Sequence, residues 1–458
     1  MFEKLFQLSE NKTSVKTELL AGLTTFMTMA YILAVNPSLL GTVEGMSAQA
    51  VFLATALAAA VGSILMAFLA NYPFALAPGM GLNAYFAFTV CGSMGISFQV
   101  ALLAVFVEGL IFILLSVTNV REAIFNAIPM SLKFAVSAGI GLFIAFIGLQ
   151  GGHLIVSNPS TLVTYQHFAP DAFHTEGICA ILALLGVLIT GVLAVTKVKG
   201  SILIGILATW LLGMLCEAVG WYVPNPDLEF YTLFPSFSLP EFKALGETFG
   251  QAFHVDFSAV KILDFLVVMF AFLFVDMFDT LGTLIGVASK ADMLDEEGHL
   301  PKIRGALLAD AIATSIGAIF GTSTTTTYVE SASGVSEGGR TGLTALTTGV
   351  LFLVAIFLSP IFLAIPKFAT APALIIVGFY MMASILKVNF EDYAESIPAF
   401  LCVLIMPLAY SISEGISIGI ISYTLIHLVT GKENRRKLTP LMYILTVLFI
   451  LKYIFCST

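Results

Sequence analysis

The sequence predicts an all-α, multi-pass membrane protein with two inverted repeats of seven transmembrane segments, including short, broken half-helices. Three observations support this prediction: the hydropathy, the distribution of charge and a weak internal repeat. Of 458 residues, 58% are hydrophobic and only 11% are charged, whereas a soluble domain has roughly 25% charged residues. Because so few charges cannot cover the surface of a soluble chain of this length, most of the surface is expected to face lipid.

Apolar segments of roughly 17–25 residues, the length that crosses a bilayer, follow one another along the chain. Seven precede a polar, acidic stretch and eight follow it, near 17–37, 49–70, 74–92, 98–118, 131–150, 176–195, 201–221, 262–288, 304–321, 324–338, 341–365, 371–388, 395–411, 414–430 and 439–456. The predicted divisions are a cytoplasmic N-terminus (1–16), a first repeat (17–221), an extracellular acidic loop (222–258), a second, inverted repeat (259–431) and a basic linker with a C-terminal hydrophobic segment (432–458).

The charge distribution predicts the orientation. If the N-terminus is cytoplasmic, only Lys243, Lys261 and Lys367 of the 20 Lys and Arg residues lie at extracellular ends, and Lys452 is undecided. The other 16 lie at cytoplasmic ends, as expected from the excess of Lys and Arg in cytoplasmic loops. We therefore predict a multi-pass protein of the cell membrane with a cytoplasmic N-terminus.

The internal repeat predicts the class of protein. FLATALAAAVGSI (52–64) aligns with LLADAIATSIGAI (307–319), and the tripeptide AIP occurs at 127–129 and again at 364–366. An odd number of segments in each half places the second half upside down in the membrane. Such inverted repeats are typical of secondary transporters, whose substrate site lies near the bilayer midplane between broken helices.

Other classes of partner and energy source find no support in the sequence. The net charge is −9 and no run of Lys and Arg is long enough to form a patch that follows a phosphate backbone, so a nucleic-acid partner is not expected. The five cysteines form no CxxC pair, which argues against a disulfide framework and a zinc site. No ATP-binding phosphate loop is present. We expect no metal or organic cofactor, only a coupling ion.

Ionisable residues inside membrane segments are costly and point to function. The strongest group is FLFVDMFDTLGTLIG (272–286). Asp276 and Asp279 lie three residues apart, so they are expected to share a helix face, with Thr283 one turn beyond Asp279. Two carboxylates so close in a low dielectric do not both stay ionised, which suits a proton-coupled carrier. The alternative is a pair of buried carboxylates satisfied by neighbouring hydroxyls.

Four further carboxylates lie inside the predicted segments. Asp264 lies near a segment end, where water is available. Asp310 occupies the position of Thr55 in the repeat and is expected to pack or to hydrogen-bond to a neighbouring segment. Glu108 either has a direct role or is a local group that is hydrogen-bonded or protonated. The fourth, Glu330, belongs to a broken segment.

Two short segments, 74–92 and 324–338, are predicted to be broken at membrane depth. In GTSTTTTYVESASG (321–334), hydroxyl residues disfavour a helix, and Glu330 opens the half-helix that follows. In ALAPGMGLNAYFAF (75–88), Pro78 and glycines break the segment, and the Asn83 amide can both donate and accept hydrogen bonds. Irregular backbone at this depth is tolerated only where it is buried in protein or lines a cavity. A structural kink would explain Pro78 and the glycines but not the adjacent Asn83.

Together these motifs resemble those of a known family. They are TTFMTMAYILAVNP (24–37), ALAPGMGLNAYFA (75–87), VDMFDTLGTL (275–284) and TTTTYVESASGVSEGGRTG (324–342). The combination resembles the nucleobase–ascorbate transporter superfamily, and within it the AzgA-like (azaguanine-sensitive) purine permeases. The resemblance implies 14 segments in two inverted sevens, with a core of segments 1–4 and 8–11 against a gate of 5–7 and 12–14. The segments counted here exceed that number by one, at the C-terminus.

The resemblance also implies which residues bind the substrate. The acidic residue of segment 8 matches Asp279, with Asp276 as the alternative register. The glutamate of segment 10 matches Glu330, and the Gly-x-Asn of segment 3 matches Gly81 and Asn83. Proton coupling is expected to use Glu330, Asp276 or Asp279.

The substrate implied is a purine base. Uracil carriers of the superfamily carry glutamate and histidine on segment 8, where Asp279 and Thr283 stand here, and this difference favours the purine branch. Carboxylates would accept hydrogen bonds from ring and exocyclic N–H groups, while Asn83 and backbone N–H groups would serve the acceptors. The candidates for stacking on the ring are Tyr85, Phe86, Phe88 and Tyr328. Aromatic residues at such spacings are more often core or lipid-facing.

The leading hypothesis is therefore a purine nucleobase:proton symporter, not an enzyme, that takes up adenine, guanine or hypoxanthine by alternating access. The expected partners are the purine and membrane lipid, and a homodimer stays open. One alternative is an anion exchanger of similar fold, against which Glu330 and Asp279 argue. The other alternative is a membrane-embedded prenyltransferase that holds Mg²⁺ on paired aspartates. The sequence lacks the second acidic motif that this chemistry needs.

Overall fold

The structure is a computed structural model that describes residues 2–118, 128–168, 172–225, 230–235, 240–257, 260–290, 293 and 300–455. Ten helices in this described part are long and apolar enough to cross a membrane. Parts of the predicted acidic loop, the first residue of the AIP tripeptide at 127–129 and the last residue of the segment at 439–456 lie outside the described residues. The described elements match the predicted all-α class, with two small two-stranded sheets added.

The helices follow the predicted segments closely. In chain order they are α1 (Phe2–Phe6), α2 (Val15–Met29), α3 (Ile32–Leu40), α4 (Ala48–Leu69), α5 (Met80–Ala84), α6 (Phe98–Val117), α7 (Met130–Gly151), α8 (Ile178–Val195), α9 (Ser201–Ala218), α10 (Ile262–Lys290), α11 (Ile303–Phe320), α12 (Ser331–Ser336), α13 (Gly342–Ala355), α14 (Ser359–Leu363), α15 (Lys367–Met382), α16 (Tyr393–Leu408), α17 (Ile412–Val429), α18 (Lys432–Arg435) and α19 (Pro440–Phe455). Wider π-helical turns cover Tyr85–Ser93 and Phe173–Gly177, and 3-10 turns cover Phe242–Glu247, Gln251–Phe253, Ile356–Leu358 and Ala383–Lys387. The strands are β1 (Leu76–Pro78), β2 (Ile155–Asn158), β3 (Leu162–Tyr165) and β4 (Thr325–Thr327).

The helices pack into two groups. In the core group, α4 contacts α11 and α13, and α6 contacts α11. In the gate group, α7 contacts α15, α16 and α17, while α8 packs on α9 and α15. Helices α7 and α15 cross closely because both carry glycine at the contact: a Cβ on Gly141 would lie 2.6 Å from the carbonyl oxygen of Gly378. Small residues at such crossings are typical of membrane helices, and the two groups match the core and gate that the resemblance implies.

The first transmembrane segment is interrupted, which the sequence did not predict. A single span was expected over 17–37, but α2 ends at Met29 and α3 begins at Ile32. Near the break, the Thr28 hydroxyl donates to the backbone oxygens of Thr24 and Thr25, at 3.1 and 2.9 Å. Such bonds often bend a helix. Tyr31 lies at this break, and its side chain reaches the broken segment of the second half.

The described part of the acidic loop covers the end of α11. The Thr248 hydroxyl donates to the Phe320 carbonyl at 2.9 Å, and the Gly250 N–H donates to the Ile319 carbonyl at 2.7 Å. Between helix and loop, Gly321 has a φ of +98° and lies so close to Thr248 that a Cβ would meet its side chain at 2.1 Å. Only glycine fits that left-handed turn, which satisfies orphan carbonyls at the helix end.

The C-terminal helix α19 lies outside the two inverted sevens. It packs against α17, where the Thr446 hydroxyl donates to the Thr424 hydroxyl at 2.8 Å. This contact ties the extra segment to the gate.

Contacts between loops agree with the predicted sidedness. At the predicted cytoplasmic end, Lys199 bonds to Glu337, and the Lys437 ammonium lies 3.2 Å from the Glu395 carboxylate. At the predicted extracellular end, Gln150 and Lys367 line one cavity. These basic residues thus lie beside residues from segment ends that the predicted topology puts on the same side, and which side is cytoplasmic stays a prediction.

A labelling experiment tests the orientation itself. A cysteine or epitope tag placed in 240–257 should react with an impermeant reagent added outside intact cells, and a tag placed in 290–300 should not. The reason is that only three basic residues fall on the predicted outer side. Equal labelling, or the reverse order, would overturn the predicted orientation.

Candidate functional site

The two broken segments pair with each other. Strand β1 runs antiparallel to β4, with Leu76 opposite Thr327 and Pro78 opposite Thr325. The pairing continues at both ends, since the Gly79 N–H donates to the Thr324 carbonyl at 2.9 Å and the Tyr328 N–H donates to the Ala75 carbonyl at 3.0 Å. Each non-helical stretch thereby satisfies the other's backbone groups at a depth where lipid offers none. The predicted breaks are confirmed, and their mutual pairing is new.

Two glycines allow the paired broken segments to pack closely against neighbouring residues. A Cβ on Gly79 would lie 2.5 Å from Thr326 Cγ2 and 3.5 Å from the Asp279 carboxylate. A Cβ on Gly81 would lie 2.6 Å from Ile140 Cγ2 on α7. Gly81, a predicted substrate-binding residue, therefore stands where the core half-helix touches the gate.

Glu330 stands at the start of the second half-helix. It is the N-cap residue of α12, as predicted, and its side chain is partly exposed. The Tyr31 hydroxyl donates to Glu330 Oε1 at 2.6 Å. Next to it, Tyr328 is buried and donates to the Pro78 carbonyl at 2.6 Å. Tyr328 thus braces the crossing, while Tyr31 fixes the Glu330 carboxylate.

Asp279 approaches the same place from α10. Its side chain is partly exposed, as is that of Thr283 one turn along. The Asp279 carboxylate interacts with the Thr326 hydroxyl of β4 and electrostatically with Glu330. The structure therefore brings together Asp279 and Glu330, which lie on different predicted segments.

Asp276 points elsewhere. It is fully buried, and its Oδ1 atom accepts a hydrogen bond from the Thr280 hydroxyl at 2.9 Å. The same hydroxyl lies 2.9 Å from Asp310 Oδ1 on α11 and 3.1 Å from the Thr326 hydroxyl. The hydrogen bond expected between Asp310 and a neighbouring segment is confirmed. Asp276 and Asp310 form a buried pair behind Asp279, bridged by Thr280.

Asn83 and Glu108 lie in a further buried layer. Both are fully buried. The Ser323 hydroxyl donates to Asn83 Oδ1, and the Asn83 amide donates to the Pro78 carbonyl at 3.4 Å. The Thr324 hydroxyl donates to Glu108 Oε2 at 2.9 Å, which is the local bond expected as one interpretation of Glu108. Both residues hold the stretch before β4 in place, and binding of a base by Asn83 stays a prediction.

A double-mutant cycle tests the structural part of this arrangement. Asn83→Ala should lower the unfolding temperature in detergent, because an unsatisfied buried partner costs about 1–3 kcal/mol. Ser323→Ala should lower it too, and the double variant should lose less than the sum of the two, since the residues share one bond. Additive losses would contradict this pairing. Unchanged stability with weakened purine binding would favour the binding role.

The aromatic residues divide between core and seam. Tyr85 and Phe86 are fully buried and pack on Phe272, so they belong to the core. Phe88 packs edge-to-face on Tyr410 near the predicted outer end. Of the four predicted stacking residues, only Tyr328 adjoins both carboxylates.

The carboxylates face the gate. Val329, between Tyr328 and Glu330, is 47% exposed. On α15, Tyr380 is 44% exposed and interacts electrostatically with Glu330. The residues brought together are thus a partly exposed carboxylate pair with tyrosine hydroxyls around it, in the seam between two bodies. Such a site can accept several hydrogen bonds from a flat ligand.

Tyr31 and Thr280 are among the participants that were not predicted. Tyr31 lies in a continuous apolar run, where a tyrosine is typical of a core, and its only signal was its place in the motif TTFMTMAYILAVNP. Thr280 lies one turn beyond Asp276 on α10, and that spacing was a usable signal.

Comparisons with known proteins identify the family of the chain. Residues 16–418 match the model of a permease family, Xan_ur_permease. Three relatives are a putative permease of Methanocaldococcus jannaschii (45% identical, covering 99% of this chain and 98% of the relative), the guanine/hypoxanthine permease PbuG of Bacillus subtilis (46%, covering 98% and 99%) and the adenine permease AdeP of Escherichia coli (42%, covering 99% and 96%).

A solved structure shares the fold. The transmembrane domain of the cyanobacterial bicarbonate transporter BicA superposes with a TM-score of 0.61 at 16% identity, covering 88% of this chain and 97% of that domain. Its inverted-repeat architecture is the one predicted from the sequence. The chain belongs to the permease family, within the nucleobase–ascorbate transporters whose motifs it carries.

Proposed function

We propose that this permease carries a purine nucleobase (adenine, guanine or hypoxanthine) across the cell membrane together with a proton. One observation carries the proposal: Asp279 and Glu330 meet, partly exposed, beside the crossing of the two broken segments. Relatives at 46% and 42% identity are named as guanine/hypoxanthine and adenine permeases, which supports the substrate class.

The chemistry of the pair suits a purine. A purine presents ring and exocyclic N–H donors along one edge, and two carboxylates from different helices can accept from neighbouring positions of that edge. Each hydrogen bond to a charged group is worth roughly 1.5–3 kcal/mol. Tyr31 restrains Glu330 at 2.6 Å, so less side-chain freedom is lost when the base binds. Thr283, partly exposed one turn from Asp279, is the proposed neighbouring polar contact.

The buried pair behind the site supports proton coupling. The Thr280 hydroxyl has one proton, yet it lies 2.9 Å from both Asp276 and Asp310. Two ionised carboxylates at such a distance from one oxygen would repel, so the arrangement favours one protonated member. The proposed proton route therefore includes Glu330 and Asp279 at the seam and Asp276 behind them, with the proton as the only coupling ion.

The position of the site between two bodies supports alternating access. Asp279 and Glu330 belong to the core and face α15 of the gate, so a movement of one body against the other would change which side reaches them. Sites at the interface of inverted repeats are typical of such carriers. We place the protein in the cell membrane with its N-terminus in the cytoplasm, and the tagging experiment above tests that placement.

Uptake into proteoliposomes tests the function. Radiolabelled adenine, guanine and hypoxanthine should accumulate when an inward proton gradient is imposed, and uracil should not. Collapse of the gradient should leave only equilibration. Uptake of uracil at the same rate, or accumulation that follows sodium instead, would overturn the substrate class or the coupling ion respectively.

The anion-exchanger alternative is tested in the same vesicles. The similarity of this chain to the bicarbonate transporter BicA, at 16% identity, concerns the architecture alone. Two carboxylates at the seam disfavour a bound anion by repulsion. Bicarbonate or sulfate exchange without purine uptake would replace the proposal.

A further inference from the structure

A cavity lies in the seam between core and gate, away from the carboxylates. It has a volume of about 190 Å³ and is lined by residues of α3, the π-helical turn Tyr85–Ser93, α7, α15 and the turn before α17, among them Ser38, Phe88, Gln150, Lys367, Thr370 and Tyr410. All of these lie at the end of the bundle that the charge distribution predicts to be extracellular.

The positions of residues along α7 give the distance between this cavity and the central carboxylate site. Gln150 lines the cavity, whereas Ile140 and Ile144 contact Gly81 beside the carboxylate site. A helix rises 1.5 Å per residue, so these positions are separated by roughly 10–15 Å along the axis. The two sites are distinct.

Tyr410 contacts both the core and the gate at this cavity. Its carbonyl accepts from the Thr89 hydroxyl of the core at 3.0 Å, and its own hydroxyl donates to Gln150 Oε1 at 3.0 Å. Its ring packs edge-to-face on Phe88 and Phe143, with centroids 5.7 and 5.2 Å apart. Its φ is +52°, which is rare for a bulky residue and persists only where the surroundings hold it. Tyr410 thus spans the seam as the floor of the cavity.

The charge of the cavity lining is opposite to that of the central site. Its lining includes no Asp or Glu and contains the Lys367 ammonium. The hydroxyls of Ser38, Thr42 and Thr370 already donate to backbone carbonyls, and Gln150 Oε1 is engaged by Tyr410. The donors on offer are therefore Lys367 and the Gln150 amide nitrogen, beside the rings of Phe88 and Tyr410. This set fits the ring nitrogens and carbonyl oxygens of a flat heterocycle.

We propose that this cavity is an outer binding site that holds a purine nucleobase by its acceptor edge before Tyr410 moves aside. The base then passes to the central site, where the carboxylates bind its donor edge. This inference rests on the substrate class proposed above. It assigns Lys367 and Gln150 to capture and Tyr410 to closure.

Kinetics of two lysine variants test the capture step. Lys367→Gln should raise the KM for uptake from outside about 3- to 10-fold with kcat unchanged. Lys243→Gln is the matched control, because this exposed lysine also lies on the predicted outer side but does not line the cavity. Equal KM values for Lys367→Gln and the control would overturn the assignment of Lys367.

Thiol protection separates the two sites. Ser38→Cys, at a partly exposed cavity position, should react with an impermeant maleimide added outside, with the parent chain as background for the partly exposed Cys91 and Cys216. Hypoxanthine outside should slow that reaction at least 3-fold, and the protection should persist in an Asp279→Ala background. Absence of protection, or its loss with Asp279→Ala, would overturn the outer site. If the parent chain takes up no purine at all, the proposed function fails instead, so the two failures are distinguishable.

Discussion

Replacing Glu330 by Gln is expected to abolish accumulation of purine against a gradient while exchange of purine across the membrane continues. The amide keeps the shape of the side chain and an oxygen for the Tyr31 hydroxyl, which donates to Glu330 Oε1 at 2.6 Å. It cannot gain or lose a proton at working pH. Binding and movement of the base should therefore survive, and the coupling to the proton should not.

The measurement is the ratio of internal to external radiolabelled hypoxanthine in proteoliposomes with an imposed proton gradient. For Glu330→Gln it should fall to about 1, whereas purine counterflow continues. Glu337→Gln is a matched control, since Glu337 lies just past the end of the same half-helix and pairs with Lys199 away from the site. Accumulation by Glu330→Gln at the parent level would move the coupling role to Asp276 or Asp279.

Replacing Asp279 by Ala is expected to weaken purine binding by about 10- to 150-fold. The change removes an acceptor for a purine N–H, and a hydrogen bond to a charged group is worth roughly 1.5–3 kcal/mol, with 1.4 kcal/mol for each factor of ten. Folding should suffer little, because Asp279 is partly exposed in the seam and water can fill the space.

Purine-induced thermal stabilisation of the purified variants measures this loss. Asp264→Ala is the control, because Asp264 is also partly exposed on α10 but stands in its first turn. Asp276→Ala should behave differently from both, with reduced folding yield, because Asp276 is fully buried and bonded to Thr280. A poorly folded Asp279→Ala protein that still bound purine normally would make Asp279 a structural residue.

The sequence predicted the segments and their breaks because those features are local. Long apolar runs specify the helices, and Pro78 with its neighbouring glycines, like the threonines of β4, cannot continue a helix in lipid. The internal repeat predicted that the breaks would correspond to each other. It did not reveal that β1 and β4 pair directly, since the partners lie about 250 residues apart, as in the bond from Tyr328 to Pro78.

The site was predictable in composition but not in arrangement. The three-residue spacing of Asp276 and Asp279 indicated a shared helix face. In the structure, however, only Asp276 is fully buried, and Thr280 bridges it to Asp310 of α11. This difference depends on packing between helices. Asn83 was expected to open towards the substrate, and the structure surrounds it with Ser323 and Pro78. The interruption at Tyr31 left no trace in the hydropathy, because the residues on both sides are equally apolar.

The pairing of β1 with β4 also constrains how the protein is made. When β1 leaves the ribosome its partner does not yet exist, and unpaired backbone groups in lipid cost several kcal/mol each. At roughly 5–20 residues per second, the intervening stretch of about 250 residues takes on the order of tens of seconds to synthesise. The third segment must spend that time sheltered by the insertion machinery or outside the hydrocarbon layer. We therefore expect the order of insertion to differ from the order of synthesis, with the first repeat completed only after the second has arrived.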